Sequence, residues 1–149
     1  DWPIDKYYKL FEDPLFSDFE VVILGATDKA SDNTKIKNLK ESLSIKVNNL
    51  MNKADMIETY FILRNCKLFL GSDSSNMHLS TAAGIPTIGL FGPTNDKVYG
   101  PKGRNNHTIR TKKKYEEFIN DINFTLKDSP SYLKDIKVSL VLNEIKNII

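Results

Sequence analysis

The pattern of apolar and polar positions switches along the chain between helix-like and strand-like segments. Ile4, Tyr7 and Phe11 recur at helical spacing, which predicts a first helix that ends before Pro14. Short apolar runs are typical of buried strands, and the third of them is expected to end at Gly71. The predicted strands lie at 19–24, 45–50, 68–70 and 87–91, with a fifth, short strand at 108–110.

Helical periodicity predicts further helices between and after these strands. Asp32 is the predicted N-cap of a helix whose apolar face repeats at Ile36 and Leu39. Asp55 and Glu58 have the spacing of a capping box at the start of the next helix. The remaining segments are a short helix that stops at Gly84, a helix over 115–122, a loop over 123–132 and a terminal helix over 138–149.

The alternation of strands and helices places the chain in the α/β class. Such βαβ units build a Rossmann-like parallel sheet that is flanked by helices on both faces. Ligands bind to these sheets beyond the carboxyl ends of the strands. This rule selects four segments as the candidate binding edge: the residues from Gly25 onward, 50–55, 71–78 and 92–94.

Composition narrows the class of protein. The 149 residues, of which 40% are apolar, predict one soluble domain over 1–149, and the single cysteine fits the reducing environment of a cytoplasmic protein. No apolar run is long enough to span a membrane, and a net charge of +2 is too small to predict a nucleic-acid partner. Because Asp1 stands where a Met is usual, we expect a piece excised from a longer protein. The oligomeric state is not predicted.

The sequence contains one cluster of basic residues, at Arg110, Lys112, Lys113 and Lys114. Its simplest interpretation is a solvated loop. The alternative is a surface for anionic groups such as lipid headgroups, which would allow peripheral membrane contact. The single cysteine, Cys66, excludes an intrachain disulfide and is predicted to be a buried, inert thiol.

The most informative stretch is GSDSSNMHLSTAAGIPTIGLFGPT, from Gly71 to Thr94. Its first part follows a strand and opens a helix, where unpaired N–H groups and the helix dipole attract anions such as a diphosphate. Ser74, Ser75 and His78 can add donors. Asp73 would repel a diphosphate, so we expect it to be an N-cap or an acceptor for a sugar hydroxyl.

Simpler interpretations of this stretch stay open. A serine-rich helix start is an ordinary cap, and a lone histidine is usually satisfied by its neighbours. Ser74 and His78 could share a helix face, but the G-x-S-x-G pattern of a nucleophile elbow is absent. G-x-x-x-x-G-K and G-x-G-x-x-G are absent as well. Two isolated histidines predict no metal site.

The sequence DSSNMHLSTAAGIP from Asp73, followed by LFGPT from Leu90, resembles the heptosyltransferases. These are ADP-heptose:lipopolysaccharide glycosyltransferases of the GT-B fold, with the pattern D-S-G-x-x-H-x-A-A-A-x-x-x-P and then F-G-P-T. Trp2-Pro3 and Leu24-Gly25 also resemble conserved positions of that family's second domain. The resemblance covers nearly the whole chain and weakens after Lys112.

The resemblance implies one half of a GT-B enzyme, a single Rossmann-like nucleotide-sugar-binding domain over 1–149. The turn that begins at Asp73 and the side chain of His78 would contact the donor diphosphate and sugar. The segment around Ala54 would flank the nucleotide base. His78 is the candidate catalytic group, while the catalytic base is expected in a first domain outside this chain. The implied donor-binding residues are Gly25, Thr27, Lys53, Ala54, Asp55, Asp73, Ser74, Ser75, Asn76, Met77, His78 and Thr94.

Two positions depart from the family pattern. Ser75 replaces a family glycine, which could alter the closest approach of the backbone to a ligand. Asn52 replaces another, although asparagine can still adopt a positive φ.

The implied reaction is the inverting, metal-independent transfer of a heptose-like sugar. The donor is a nucleoside diphosphate sugar, with ADP as the expected nucleotide, and the acceptor is lipopolysaccharide or another glycan bound by the other domain. No cofactor is expected besides this substrate, and the isolated domain should bind donor with little turnover. The alternatives are a non-catalytic nucleotide- or phosphate-binding module, or the same fold with a UDP- or GDP-sugar.

Overall fold

A computed structural model describes residues 1–28, 30–125 and 131–149, and only the backbone of 30–33. The strands are β1 (Glu20–Ile23), β2 (Lys46–Asn49), β3 (Phe69–Ser72), β4 (Thr87–Phe91) and β5 (Asn106–Arg110). The α-helices are α1 (Ile4–Phe11), α2 (Ala30–Ser42), α3 (Met56–Arg64), α4 (Ser75–Ala82), α5 (Asp96–Tyr99), α6 (Tyr115–Ile119) and α7 (Val138–Lys146). A 3-10 turn spans Pro14–Phe16.

Most predicted elements are present, with shifted ends. The bounds of α1 and β4 are confirmed, whereas β3 runs through Gly71 to Ser72 instead of ending before the glycine. The predicted helix over 115–122 ends at Ile119, and the terminal helix ends at Lys146. α5 was not predicted; it is a single turn whose N-cap Asn95 accepts a hydrogen bond from the Lys97 N–H at 3.0 Å.

Strand pairing confirms a parallel α/β architecture but divides the strands into two sheets. β1 pairs with β2, and β4 lies between β3 and β5. In the described residues no ladder hydrogen bonds join β1 to β3. Residues of both strands line a large cavity between the two sheets. The predicted single sheet is therefore interrupted at this point.

One apolar core joins the two sheets. Val47 on β2 and Leu90 on β4 belong to the same buried cluster, together with Val141 on α7. Every residue of β4 is buried, as expected for the middle strand of a sheet covered on both faces. Trp2 links the N-terminal segment to the C-terminal segment through a hydrogen bond from its indole N–H to the Ile136 carbonyl at 3.1 Å.

The helix caps that frame the candidate edge follow the predictions. Asp55 accepts a hydrogen bond from the Glu58 N–H, and the Glu58 carboxylate accepts one from the Asp55 N–H, which completes the capping box. Gly84 stops α4 with a φ of 80°. In contrast, α2 begins at Ala30, two residues before the predicted cap Asp32, whose side chain lies outside the described part.

None of the helices in the described ranges has both the length and the apolar character that crossing a bilayer requires.

Candidate functional site

The start of α4 provides hydrogen-bond donors at the carboxyl edge of β3. Ser74 is the N-cap in extended conformation, but its hydroxyl makes no capping hydrogen bond. Its carbonyl instead accepts bonds from the N–H groups of Met77, at 3.1 Å, and His78, at 3.4 Å. The N–H groups of Ser75 and Asn76 precede these bonds and have no intrahelical partner. This arrangement can bind an anion.

Asp73 lies beside this helix start without capping it. Because Ser74 is the N-cap, the prediction that Asp73 would cap the helix is wrong. Its Oδ1 lies 3.9 Å from His78 Nε2, which is too long for a direct hydrogen bond. The carboxylate is largely shielded and the imidazole half exposed. The second predicted role of Asp73, acceptor for a sugar hydroxyl, stays a prediction.

A cavity of about 280 Å³ lies between the ends of β3 and β4. Its walls include Asp73 from one strand end and the Gly92-Pro93-Thr94 loop from the other. The expectation that these two edges share a pocket is therefore confirmed. The remaining walls are Asp1, Ser72, Leu90, Ser131, Tyr132 and Leu133.

The contribution of Tyr132 and Leu133 was not foreseen in the sequence. These residues pack directly over Gly92, where an added Cβ would lie 3.2 Å from side-chain atoms of each. The absence of a side chain at Gly92 thus lets a distant segment close the cavity. The glycine before Pro93 was a signal for close approach, but nothing in the pattern identified the segment that approaches.

A second cavity, of about 1560 Å³, separates the facing edges of β1 and β3. This volume exceeds the usual 300–1,000 Å³ of a small-molecule pocket, so a bound ligand would occupy only part of it. The strands contribute apolar side chains to its walls, such as Ile23 and Leu70. The predicted site residues among its walls are Gly25, Ala54, Asp55, Ser74, Ser75 and Asn76.

Four predicted site residues lie outside the walls of both cavities: Thr27, Lys53, Met77 and His78. Met77 is fully buried against Gly89, so its side chain is not available to a ligand. The ammonium group of Lys53 donates to the Asn49 carbonyl at 3.2 Å. His78 is exposed near Asp73.

Asn52 joins the loops after β1 and β2. Its φ of 57° confirms the prediction that this asparagine can replace a glycine in the left-handed region. Its side-chain amide donates to the Thr27 carbonyl at 2.8 Å, and its Oδ1 accepts the Thr27 N–H at 3.1 Å. The Asn52 N–H donates to the Gly25 carbonyl at 3.0 Å. These bonds hold the loop after β1 beside the end of β2.

We expect Asn52→Ala to destabilise the chain by about 1–2 kcal/mol, since alanine is strained at a left-handed φ and cannot replace the side-chain bonds. Asn52→Gly keeps the conformation and loses only partly exposed hydrogen bonds, so its loss should be smaller. Urea unfolding of both variants measures the difference in free energy. Equal losses would show that the side-chain bonds, and not the backbone conformation, determine the residue at this position.

The basic cluster is divided by the fold. Arg110 is mostly buried and turns inward, so its interpretation as part of a solvated loop is wrong. Lys113 pairs with Asp121 at 2.6 Å and lies 4.7 Å from the centre of the Phe118 ring. The hydrogen bond from Lys113 is the main cause that lowers the pKa of the Asp121 carboxyl. Only Lys112 and Lys114 remain exposed, which weakens the alternative of an anionic docking surface.

The described residues give little support to thiol or metal chemistry. Cys66 is partly buried, its Sγ lies 3.4 Å from the Ile62 carbonyl oxygen, and burial raises the pKa of its thiol, so the reactive thiolate is disfavoured. Within the described ranges, no three His, Cys, Asp or Glu side chains converge as metal ligands would. The absence of a metal requirement stays a prediction.

The known proteins with a similar sequence include heptosyltransferases. The chain is 30% identical over 101 residues to the lipooligosaccharide heptosyltransferase 2 of Haemophilus influenzae, covering 67% of this chain and 29% of that protein. It is 39% identical over 77 residues to the Campylobacter jejuni protein of the same name, covering 50% and 24%. The chain thus matches less than a third of these relatives' length.

Solved structures resemble the described fold over almost all of its length. A glycosyl transferase of family 9 from Veillonella parvula has a TM-score of 0.78 at 20% identity, covering 99% of this chain and 41% of that one. An Escherichia coli heptosyltransferase solved with ADP has a TM-score of 0.68 at 22% identity, covering 99% and 40%. At these identities the likeness concerns the fold.

The match to a family description covers more of the chain than the two sequence matches do. Residues 1–123 match glycosyltransferase family 9 (heptosyltransferase). The matched range includes the strand ends that line the two cavities and the loop at Asn52. The chain therefore belongs to glycosyltransferase family 9, the heptosyltransferases.

Proposed function

We propose that this chain is the donor-binding half of a glycosyltransferase that transfers a heptose-like sugar from ADP to lipopolysaccharide or another glycan. The observation that carries the proposal is the start of α4, where the N–H groups of Ser75 and Asn76 have no intrahelical partner and both residues line the large cavity. Family membership supports the class of reaction. The relatives' greater length supports a second half that binds the acceptor.

The proposed donor lies along the carboxyl edge of the strands. Its diphosphate accepts hydrogen bonds at the start of α4, where the helix dipole also attracts it. The nucleotide base lies toward Gly25 and Asp55, which also line the large cavity. The sugar extends into the small cavity, where Asp73 and Thr94 can bond its hydroxyl groups. Ser72 lines both cavities, so the two adjoin the same residue at the end of β3.

The chemical role of this half is to stabilise the leaving diphosphate. Negative charge grows on the bridging oxygen as the glycosidic bond breaks, and preorganised N–H donors lower the energy of that state. His78 is proposed as an additional donor from the first turn of α4. In an inverting transfer, a base deprotonates the acceptor hydroxyl on the opposite face of the sugar, and we place that base in the other half. No metal or cofactor takes part in this proposal.

The setting of the whole protein follows from its proposed acceptor. A lipid-linked glycan would place the enzyme in the cytoplasm at the inner membrane surface. Because Arg110 and Lys113 are engaged within the domain, the contact would depend on the acceptor and not on the basic cluster. The second candidate function is a nucleotide-binding module without catalysis, since the chain matches less than a third of its relatives' length.

Calorimetric titration of the chain with ADP, UDP and GDP tests the proposal. We expect saturable ADP binding that falls at least tenfold in Ser74→Ala/His78→Ala and is unchanged in Ser139→Ala, an exposed position on α7. A preference for UDP or GDP would keep the site and change the donor. Absence of binding to all three nucleotides would contradict donor binding by this half. Unimpaired transfer by the full-length enzyme after replacement of Ser74, Ser75 and His78 would contradict the assigned site.

A further inference from the structure

The end of β5 places a single cation against the loop that forms one wall of the small cavity. In the β4–β5 ladder Arg110 is paired with Phe91, the residue directly before that loop. The guanidinium donates to the Gly92 carbonyl at 2.5 Å, to the Thr94 carbonyl at 2.9 Å and to the Asp96 carboxylate at 2.5 Å. One side chain thus bonds both ends of the Gly92–Thr94 loop and the first residue of α5.

The chemistry of these bonds favours arginine over lysine. The guanidinium presents several N–H donors in a fixed planar fork, which can reach separated acceptors at once. Both charged side chains are mostly buried, with 19% of Arg110 and 24% of Asp96 exposed, so solvent screens the pair weakly. A lysine would retain the charge but could not keep all three acceptors in the same geometry.

These bonds also change what the loop presents to a ligand. Carbonyl oxygens at a strand end would repel a diphosphate, but those of Gly92 and Thr94 are turned onto the cation. The Asp96 carboxylate is neutralised by the same group. The loop can therefore line the small cavity, beside the proposed diphosphate site, with its side chains, while its acceptors face the guanidinium.

We propose that Arg110 is a positioning residue of the donor site, which holds the Gly92–Thr94 loop so that Thr94 faces the sugar of the bound donor. The inference rests on the proposed function for its ligand. The inference goes beyond the proposed function because it assigns specificity for the sugar of the donor to a residue that lines neither cavity. Arg110 acts through Thr94, so its removal should affect an ADP-sugar more than ADP.

A double-mutant cycle tests this coupling. We expect Arg110→Met to weaken binding of ADP-heptose at least tenfold and binding of ADP less than threefold, as measured by calorimetry. Arg110→Lys should lie between Met and wild type. In a Thr94→Ala background, Arg110→Met should cost less than threefold, because the contact that it positions is already lost. Independent, multiplicative losses would overturn the proposal, as would equal losses for ADP and ADP-heptose.

A ligand-free measurement separates this proposal from the proposed function. Backbone ¹⁵N heteronuclear NOE values for the amides of Gly92, Thr94 and Asn95 should fall in Arg110→Met, while those of β4 stay unchanged. If the wild type binds no nucleotide, the proposed donor site is wrong. If the NOE values of the loop amides are the same in Arg110→Met and wild type, the positioning role of Arg110 is wrong, whether or not nucleotide binds. If the Met variant does not fold, Arg110→Lys serves the same comparison, since it removes the fork geometry and retains the charge.

Discussion

Phe91→Ala should destabilise the chain by about 3–5 kcal/mol, the cost of an unfilled cavity in a close-packed core. Phe91 is the largest of the side chains that are fully buried, and it ends a strand on which every residue is buried. The loss is comparable to the whole stability of a small domain, so the variant should be largely unfolded at 37 °C. Urea unfolding followed by circular dichroism measures the change.

The chain offers a matched control for this substitution. Phe61 on α3 carries the same side chain, but 56% of it is exposed, and its ring meets only Tyr60 edge-on among the described aromatic side chains. Phe61→Ala should therefore change the free energy of unfolding by less than about 1 kcal/mol. Similar losses at the two positions would contradict the central place of β4 in the core. Phe91→Leu, which keeps most of the volume, should recover much of the stability.

Local sequence signals predicted the elements that depend on neighbouring residues alone. The helical spacing from Ile4 to Phe11 and the apolar run of β4 gave the bounds that the fold has. The capping box at Asp55 and the positive φ of Asn52 are likewise properties of a few adjacent positions. In these last two cases the physical cause, a cap or a backbone conformation, acts within one turn of chain.

The features that the sequence did not reveal depend on which distant segments meet. A strand pattern does not specify its neighbour, so the division between β1 and β3 could not be predicted. Arg110 stands among lysines in sequence, but its direction is set by pairing with β4. The Tyr132–Leu133 segment reaches the small cavity only because Gly92 leaves room for it.

The apolar residues of α3 also show that local sequence does not predict tertiary contacts. Its apolar residues Met56, Tyr60 and Leu63 recur at helical spacing, and a buried face would be the usual interpretation. Thr59 and Leu63 are buried, whereas Met56 is 67% and Ile57 is 69% exposed. Periodicity therefore predicted the helix correctly but did not predict how much of its apolar surface the rest of the chain covers.

Charge substitutions at the start of α4 should separate stability from donor binding most clearly. Ser75→Glu places an acid in the first turn, where the helix dipole stabilises it by about 0.3–1 kcal/mol. The same carboxylate would face the donor diphosphate, and two unit charges about 4 Å apart near a protein surface repel by about 4 kcal/mol. We therefore expect slightly higher stability with a loss of ADP affinity of more than tenfold, since 1.4 kcal/mol is a factor of ten.

Ser139→Glu is the control that makes this comparison specific. Ser139 is exposed in the first turn of α7, so the substitution adds the same charge at an equivalent place in another helix. It should raise stability by a similar amount and leave ADP affinity unchanged. Ser75→Lys should show the reverse pattern, with lower stability from the dipole and retained or stronger binding. If Ser75→Glu and Ser139→Glu weaken ADP binding equally, the effect is one of net charge, and the diphosphate does not lie at the start of α4.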